Sequence, residues 1–210
     1  MRHLKIKNLN IIITEKSDGN MKDPDTREDF LKKTGIPVYI PHQKHTAVIT
    51  TPEENLSPAD GVFIERKVFA GGVLTADCMP IVITDFNKLV VIHAGWRGAV
   101  GGIIQRGIEL FEKPEELTVF IGPSAGKCCY QVQNDFVEMF REKGLPDKYF
   151  YKNSGGITFS MQEFVKDITE QYGIKNLIDI SLCTICEDDF YSYRKGDFSE
   201  RILTLAWLEE

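Results

Sequence analysis

Apolar residues fall in short, dense runs along this chain, and the runs are separated by turn-forming residues. Residues 3–14 predict one or two strands, with Ile11-Ile12-Ile13 the strongest piece, and Asp18-Gly19-Asn20 turns the chain afterwards. Residues 24–34 predict a short helix with Pro24 near its start and Gly35 at its end. From Tyr39 to Thr50 the pattern is extended on both sides of a polar PHQKH stretch, so Gln43 and His45 are expected on one strand face and His42 on the other. Asp60-Gly61 and Gly71-Gly72 read as turns. Two apolar runs then flank Cys78, and Asn87-Lys88 makes a hairpin turn into LVVIHA. Gly95 to Gly98 break that strand, and residues 99–112 carry helical spacing at Ile103, Ile104, Ile108 and Leu110-Phe111. LTVFIG is a further strand, residues 132–143 and 160–172 read as helices, and DISLCTIC and RILTLAWL as closing strands. Strands mixed with helices, several strands in antiparallel succession and no internal repeat or linker imply one α+β domain over residues 1–210.

The composition adds exclusions. The chain has 210 residues, 42% apolar and 27% charged, with a net charge of −6. That length buries a substantial core without disulfides. An acidic balance argues against sequence-independent nucleic-acid binding, which needs a basic face. No run approaches the roughly 18–20 apolar residues that span a bilayer. The first residues lack a secretory pattern, so a cytoplasmic protein is expected, with its five cysteines as thiols.

Three side chains stand at strand edges beside small or turn-forming residues: His45 in QKHT, Cys78 in TADCMPI and His93 in VIHAGWRG. One thiolate and two imidazoles suit zinc with an open fourth position, the arrangement of a catalytic site. Asp77 beside Cys78 is a candidate acid, base or hydrogen-bond partner of a ligand histidine, although on a regular strand it would face away from Cys78. Gln43 is expected in the same pocket as His45. The turn at Gly95 to Gly98 leads into a helix start, and with Arg97 it makes a candidate phosphate site. Cys128-Cys129 and Cys183-x-x-Cys186 are expected to be packing residues, because a lone CxxC on a strand projects its sulfurs to opposite faces.

The segments QKH, ADG, LTADCMPIVITD, VIHAGWRG, IGPSAGKCCYQV, CT, YSYR and ILTLAWL, in this order, resemble one family from about residue 36 onward. It is the YfiH-like family, long described as polyphenol oxidases or multicopper laccase-like proteins and now regarded as purine nucleoside phosphorylases. The resemblance implies a four-layer α/β/β/α sandwich of mixed sheets, related to the catalytic domains of bacterial cytotoxic factors. It implies zinc held by His45, Cys78 and His93, with phosphorolysis of adenosine, inosine, guanosine and methylthioadenosine and deamination of adenosine. The expected partners are therefore purine nucleosides and phosphate, and neither nucleic acid nor membrane. On that reading Arg97, Arg194 and the helix starting near Gly98 are candidate phosphate contacts, and Asp77 and Gln43 handle protons or orient the base. The chain departs from the family pattern at Glu15, where an arginine is usual, at Lys44 and Thr46 in QKHT, and at Glu200, where a glycine precedes Arg201. Four histidines are too few for a multicopper oxidase, although copper is an expected adventitious occupant of a Cys-His-His site. Two other classes fit the same residues: a thiol hydrolase or deamidase using Cys78 with His93 as base, and a non-enzymatic metal-binding protein.

Overall fold

The computed structural model describes residues 1–209. The strands are β1 (Arg2–Ile6), β2 (Leu9–Ile13), β3 (Val38–Tyr39), β4 (Ile49–Thr50), β5 (Gly61–Ile64), β6 (Ala70–Thr75), β7 (Met79–Thr84), β8 (Leu89–Ala94), β9 (Thr118–Ile121), β10 (Gln131–Val132), β11 (Phe150–Asn153), β12 (Gly156–Phe159), β13 (Asn176–Asp179) and β14 (Ile202–Leu208). The helices are α1 (Pro24–Lys32), α2 (Trp96–Val100), α3 (Ile103–Ile108), α4 (Asn134–Glu142) and α5 (Met161–Gln171).

One sheet has the order β1-β2-β14-β6-β3 and a second the order β13-β9-β7-β8-β5-β4. Both are mixed: β3 runs parallel to β6, β4 to β5 and β13 to β9, while the central pairs are antiparallel. The dense apolar runs follow from burial on both faces. Along β8, Leu89 and Val91 join a core between the two sheets, whereas Val90 and Ile92 join a core under α2 to α5. The same alternation divides Val82 from Ile81 and Ile83 on β7. On β14, Ile202, Ala206 and Leu208 face the other sheet, while Leu203 and Leu205 pack toward Phe30 and Leu31 of α1. Helix, sheet, sheet and helices thus stack as four layers, as the family resemblance implied. A small third sheet, β10-β12-β11, has no counterpart among the predicted strands; its strands are only two to four residues long, so periodicity hardly marks them.

Four local expectations are corrected. Gly71 and Gly72 lie inside β6 and make no turn. A Cβ on Gly71 would fall 2.9 Å from Val62 of the facing sheet, so glycine there permits close packing of the sheets. Residues 99–112 are not one helix: α2 and α3 are separate, and Gly102 between them holds φ 88°. Gln43 and His45 do not share a strand face, because residues 41–48 form a loop in which His45 has φ 60°. Finally, Cys183 and Cys186 lie beyond β13 on a turn closed by Cys186 N–H to the Cys183 carbonyl, 3.1 Å.

Candidate metal centre

Three separate segments bring His45, Cys78 and His93 together. The β6–β7 connection reverses direction at Asp77, whose φ of 79° releases Cys78 from strand alternation and turns it toward the pocket. His93 is the penultimate residue of β8, paired with Pro80 of β7. His45 comes from the loop before β4. The ligand atoms of the three residues lie within 4.8 Å of one another, and Cys78 Sγ is 3.6 Å from His45 Nε2. Tetrahedral zinc with ordinary Zn–N and Zn–S bonds requires an N···S separation of about 3.6 Å. The two imidazoles meet edge to face with centroids 4.9 Å apart. His93 is buried and His45 exposed, so the trio opens to solvent on one side.

Asp60 organises this arrangement, although the sequence marks it only as half of an Asp-Gly turn. Its side chain is fully buried and accepts five hydrogen bonds: the amides of Lys44 (3.1 Å), His45 (2.9 Å) and Thr46 (2.6 Å), the Thr46 hydroxyl (2.7 Å) and His93 Nδ1–H (2.7 Å). One carboxylate therefore sets the loop that carries His45 and the tautomer of His93, leaving His93 Nε2 toward the centre. Its backbone carbonyl also accepts from the His93 amide at 2.7 Å. Burial alone would raise the Asp60 pKa, but the His93 and Thr46 donors hold it well below the carboxylate range. The ADG motif carried that signal, since a lone acidic residue between buried neighbours needs partners.

Gly95 is the second residue whose role sequence alone did not reveal. A Cβ there would lie 2.4 Å from His45 Cδ2 and 3.3 Å from Cys78 Sγ, so the strand-to-helix junction approaches these two side chains this closely because it is glycine. Gly98 likewise permits contact: a Cβ would stand 2.6 Å from the Thr46 carbonyl oxygen. It sits buried within α2 rather than at a helix start, because Gly95 is the N-cap and α2 spans five residues. Trp96 anchors that helix edge to face on Phe136 of α4, with centroids 4.9 Å apart.

The electrostatics of the trio are coupled. Burial pushes the Cys78 thiol up, but the charge on His93 and a hydrogen bond with His45 outweigh it and pull Cys78 down to about 6. Burial disfavours the charged His93, yet the Cys78 thiolate and Asp60 push it up to about 9. The pair is held as thiolate and imidazolium near neutrality.

The other expected site residues surround this centre unevenly. Gln43 donates to the Leu74 carbonyl and accepts from the Leu74 amide, both at 2.8 Å, so its amide group clamps the loop to β6. Asp77 accepts from the Thr184 hydroxyl (2.7 Å) and the Arg194 amide (2.8 Å), so both of its carboxylate oxygens tie the Cys78 turn to later loops. Arg97 is exposed and lies over the Trp96 ring at 4.3 Å. Arg194 is exposed, covers the Tyr130 ring at 5.0 Å and donates to the Gln131 carbonyl at 2.6 Å. Burial raises the Tyr130 pKa, and the nearby Cys78 thiolate raises it further against Arg194 and Arg97, so Tyr130 shares this electrostatic neighbourhood. His3 bonds Asn10 and His42 bonds Ser57; neither joins the trio. Glu15, at the position where the family carries arginine, accepts from Arg2 Nε at 2.7 Å.

Similarity to known proteins extends along nearly the whole chain. A family model described as multi-copper polyphenol oxidoreductase laccase matches residues 7–209. A protein of Aquifex aeolicus named purine nucleoside phosphorylase is 35% identical over 181 residues, covering 83% of this chain and 85% of that protein. One of Haemophilus influenzae with the same name is 28% identical over 193 residues, covering 86% of this chain and 79% of its own length. Among solved structures, Neisseria meningitidis NMB0706 superposes with a TM-score of 0.90 at 25% identity over all of both chains. Bacillus licheniformis YfiH superposes with a TM-score of 0.83 at 22% identity, covering 96% of this chain and 93% of that one.

Proposed function

The chain belongs to the multi-copper polyphenol oxidoreductase laccase family, and we propose that within it this protein is a zinc-dependent purine nucleoside phosphorylase that also deaminates adenosine. The names of the relatives support the phosphorylase reading. The observation that carries the metal part is the His45–Cys78–His93 convergence, with Asp60 fixing His93 from behind. Two nitrogens and one sulfur within 4.8 Å of one another, with one N···S pair at the zinc-like 3.6 Å, fit a metal held with an open position. They do not fit a multicopper oxidase, which needs several histidine-rich centres, since His3 and His42 are engaged elsewhere. When bound, zinc supplies Lewis acidity and lowers the pKa of water, which suits attack at C6 of adenine.

The residues of the chain divide the remaining work. His45, Cys78 and His93 hold the ion. Arg97 and Arg194 stand exposed at the rim and are assigned to phosphate, whose attack at ribose C1′ expels the purine. Both guanidinium groups lie over aromatic rings, and Arg194 uses one donor on the Gln131 carbonyl, leaving its other donors for phosphate. Gln43 and Asp77 act as positioning residues, because their polar atoms already bind Leu74, Thr184 and Arg194. Gly98 serves the close packing of α2 on the His45 loop, so the phosphate contacts rest on the arginines.

Product analysis tests the reading. Incubation with adenosine and phosphate is expected to yield adenine and ribose 1-phosphate, and incubation without phosphate to yield inosine, with both activities lost on chelation. No turnover of any purine nucleoside by zinc-loaded protein would overturn it.

One observation favours a second reading. Cys78 pulled down to about 6, His93 pushed up to about 9 and Asp60 behind His93 form a thiolate–imidazolium–carboxylate series suited to a cysteine hydrolase. Activity that survives chelation and disappears on alkylation of Cys78 would select it.

A further inference from the structure

The four remaining cysteines are not dispersed packing residues. Cys128, Cys129, Cys183 and Cys186 meet with their sulfurs within 4.8 Å of one another. Cys186 Sγ is 3.3 Å from Cys129 Sγ and 3.5 Å from Cys128 Sγ. The parallel pairing of β9 and β13 explains the encounter. Both strands run in the same direction, so the loops that follow them leave the sheet side by side. They stay joined by Ser124 N–H to the Leu182 carbonyl (3.1 Å) and Thr184 N–H to the Ser124 carbonyl (3.0 Å). The first loop delivers the vicinal pair and the second delivers CxxC on a tight turn. A strand would oppose the sulfurs of Cys183 and Cys186; the turn puts them on one side.

We propose that Cys128, Cys129, Cys183 and Cys186 form a second metal site, a tetrathiolate for zinc, distinct from the His45–Cys78–His93 centre. Tetrahedral zinc with Zn–S bonds of about 2.3 Å spaces its sulfurs about 3.8 Å apart, close to the separations found here. The four are free thiols; pairing them as two disulfides would need an oxidant, whereas one ion takes all four as they stand. Soft thiolates select zinc over hard cations. The surroundings are not those of a greasy packing cluster: Gly126 N–H donates to Cys183 Sγ at 3.3 Å, and Cys128 and Cys186 are exposed. A Cβ on Gly126 would lie 3.2–3.4 Å from Cys183 Cβ, Cys128 Sγ and Cys183 Sγ, so a side chain there would crowd the cluster. On binding, each thiol that becomes a ligand releases its proton to solvent and the zinc keeps its oxidation state, so no redox partner is involved.

Such an ion would clamp two loops that border the first centre. Thr184, inside the CxxC turn, donates to Asp77 next to Cys78, and Ala125 N–H donates to the Asp77 carbonyl at 2.9 Å. Tyr130 follows Cys129 directly and lies under Arg194. The site is structural, with four protein ligands and no open position.

The inference does not depend on the phosphorylase reading, and metal analysis separates them. Native mass spectrometry of reduced, zinc-supplemented protein is expected to show about two ions per chain, falling to about one in C128S/C186S and to about one in H45A/H93A. Cobalt-substituted H45A/H93A is expected to show the long-wavelength, intense d–d bands of a tetrathiolate. If the double cysteine variant does not fold, alkylation of the wild type decides: zinc is expected to protect all four cysteines. A single ion per chain in the wild type that H45A/H93A loses, equal alkylation of the four thiols with and without zinc, or a disulfide between any two of them in the zinc-supplemented protein would overturn the proposal.

Discussion

Two residues that never touch solvent chemistry directly decide whether the candidate centre exists. Asp60 gathers three loop amides, a hydroxyl and an imidazole on one buried carboxylate. Asp60→Asn keeps the shape but loses the charge and forces an amide N–H₂ against donors. Hydrogen bonds to a charged group are worth about 1.5–3 kcal/mol each, and losing several is expected to destabilise the protein by at least about 2 kcal/mol at pH 7 in urea unfolding. Because the folded pKa of Asp60 lies below its ordinary value of 3.8, its contribution is present above that pH and is lost as pH falls toward the folded value. The gap between wild type and variant is therefore expected to close on acidification below 3.8; a gap independent of pH would refute the charge-based account. Gly95 acts by absence. Gly95→Ala places a methyl 2.4 Å from His45 Cδ2 and is expected to displace that imidazole. An ångström-scale shift of this kind costs roughly 100-fold in kcat/KM with zinc content reduced and thermal stability little changed. Arg97→Ala is expected to raise the phosphate concentration needed for phosphorolysis while deamination is less affected, because only phosphorolysis uses phosphate. Equal loss of both activities at unchanged phosphate dependence would return Arg97 to a role in the turn.

At the scale of elements, the strands obeyed their two-residue period and the irregular segments did not. β7 and β8 are apolar at nearly every position because both of their faces are covered, and that is visible in VVI and IVI as continuous runs. The apolar spacing within residues 99–112 suggested one helix, but Gly101-Gly102 divides that stretch, and Gly102 takes a left-handed φ of 88° that helical spacing cannot report. Space around Gly102 is ample, with Gln105 Oε1 at 3.9 Å the nearest neighbour of an added methyl, so Gly102→Ala isolates backbone strain. It is expected to cost about 1 kcal/mol and lower Tm by roughly 2–4 °C without changing metal content. The loop carrying His45 was legible as extended segments around a polar centre. That His45 itself takes φ 60° depends on Asp60, sixteen residues beyond Lys44 and therefore outside any local window.

For the whole molecule, the two sheets share one core, and Phe120 of β9 sits fully buried in it, in one cluster with Val82, Val91 and Phe190. Phe120→Ala is expected to destabilise the protein by about 3–5 kcal/mol in denaturant unfolding, since a buried aromatic leaves a cavity that layers braced on both sides cannot close. A loss under about 1 kcal/mol would mean the sheets slide to fill it. The residue types and their periods determined the α+β class, the positions of most strands, and the three side chains with ligand chemistry, because hydrophobic alternation and strand-end turns are local properties of a chain. Tertiary structure alone decided which residues meet. Asp60 behind His93, Gly95 against His45, and Cys128-Cys129 beside Cys183 and Cys186 are contacts between segments separated by tens of residues, set by strand order and by the parallel course of β9 and β13. A sequence specifies such contacts only through the packing of whole sheets, so no spacing within one segment announces them.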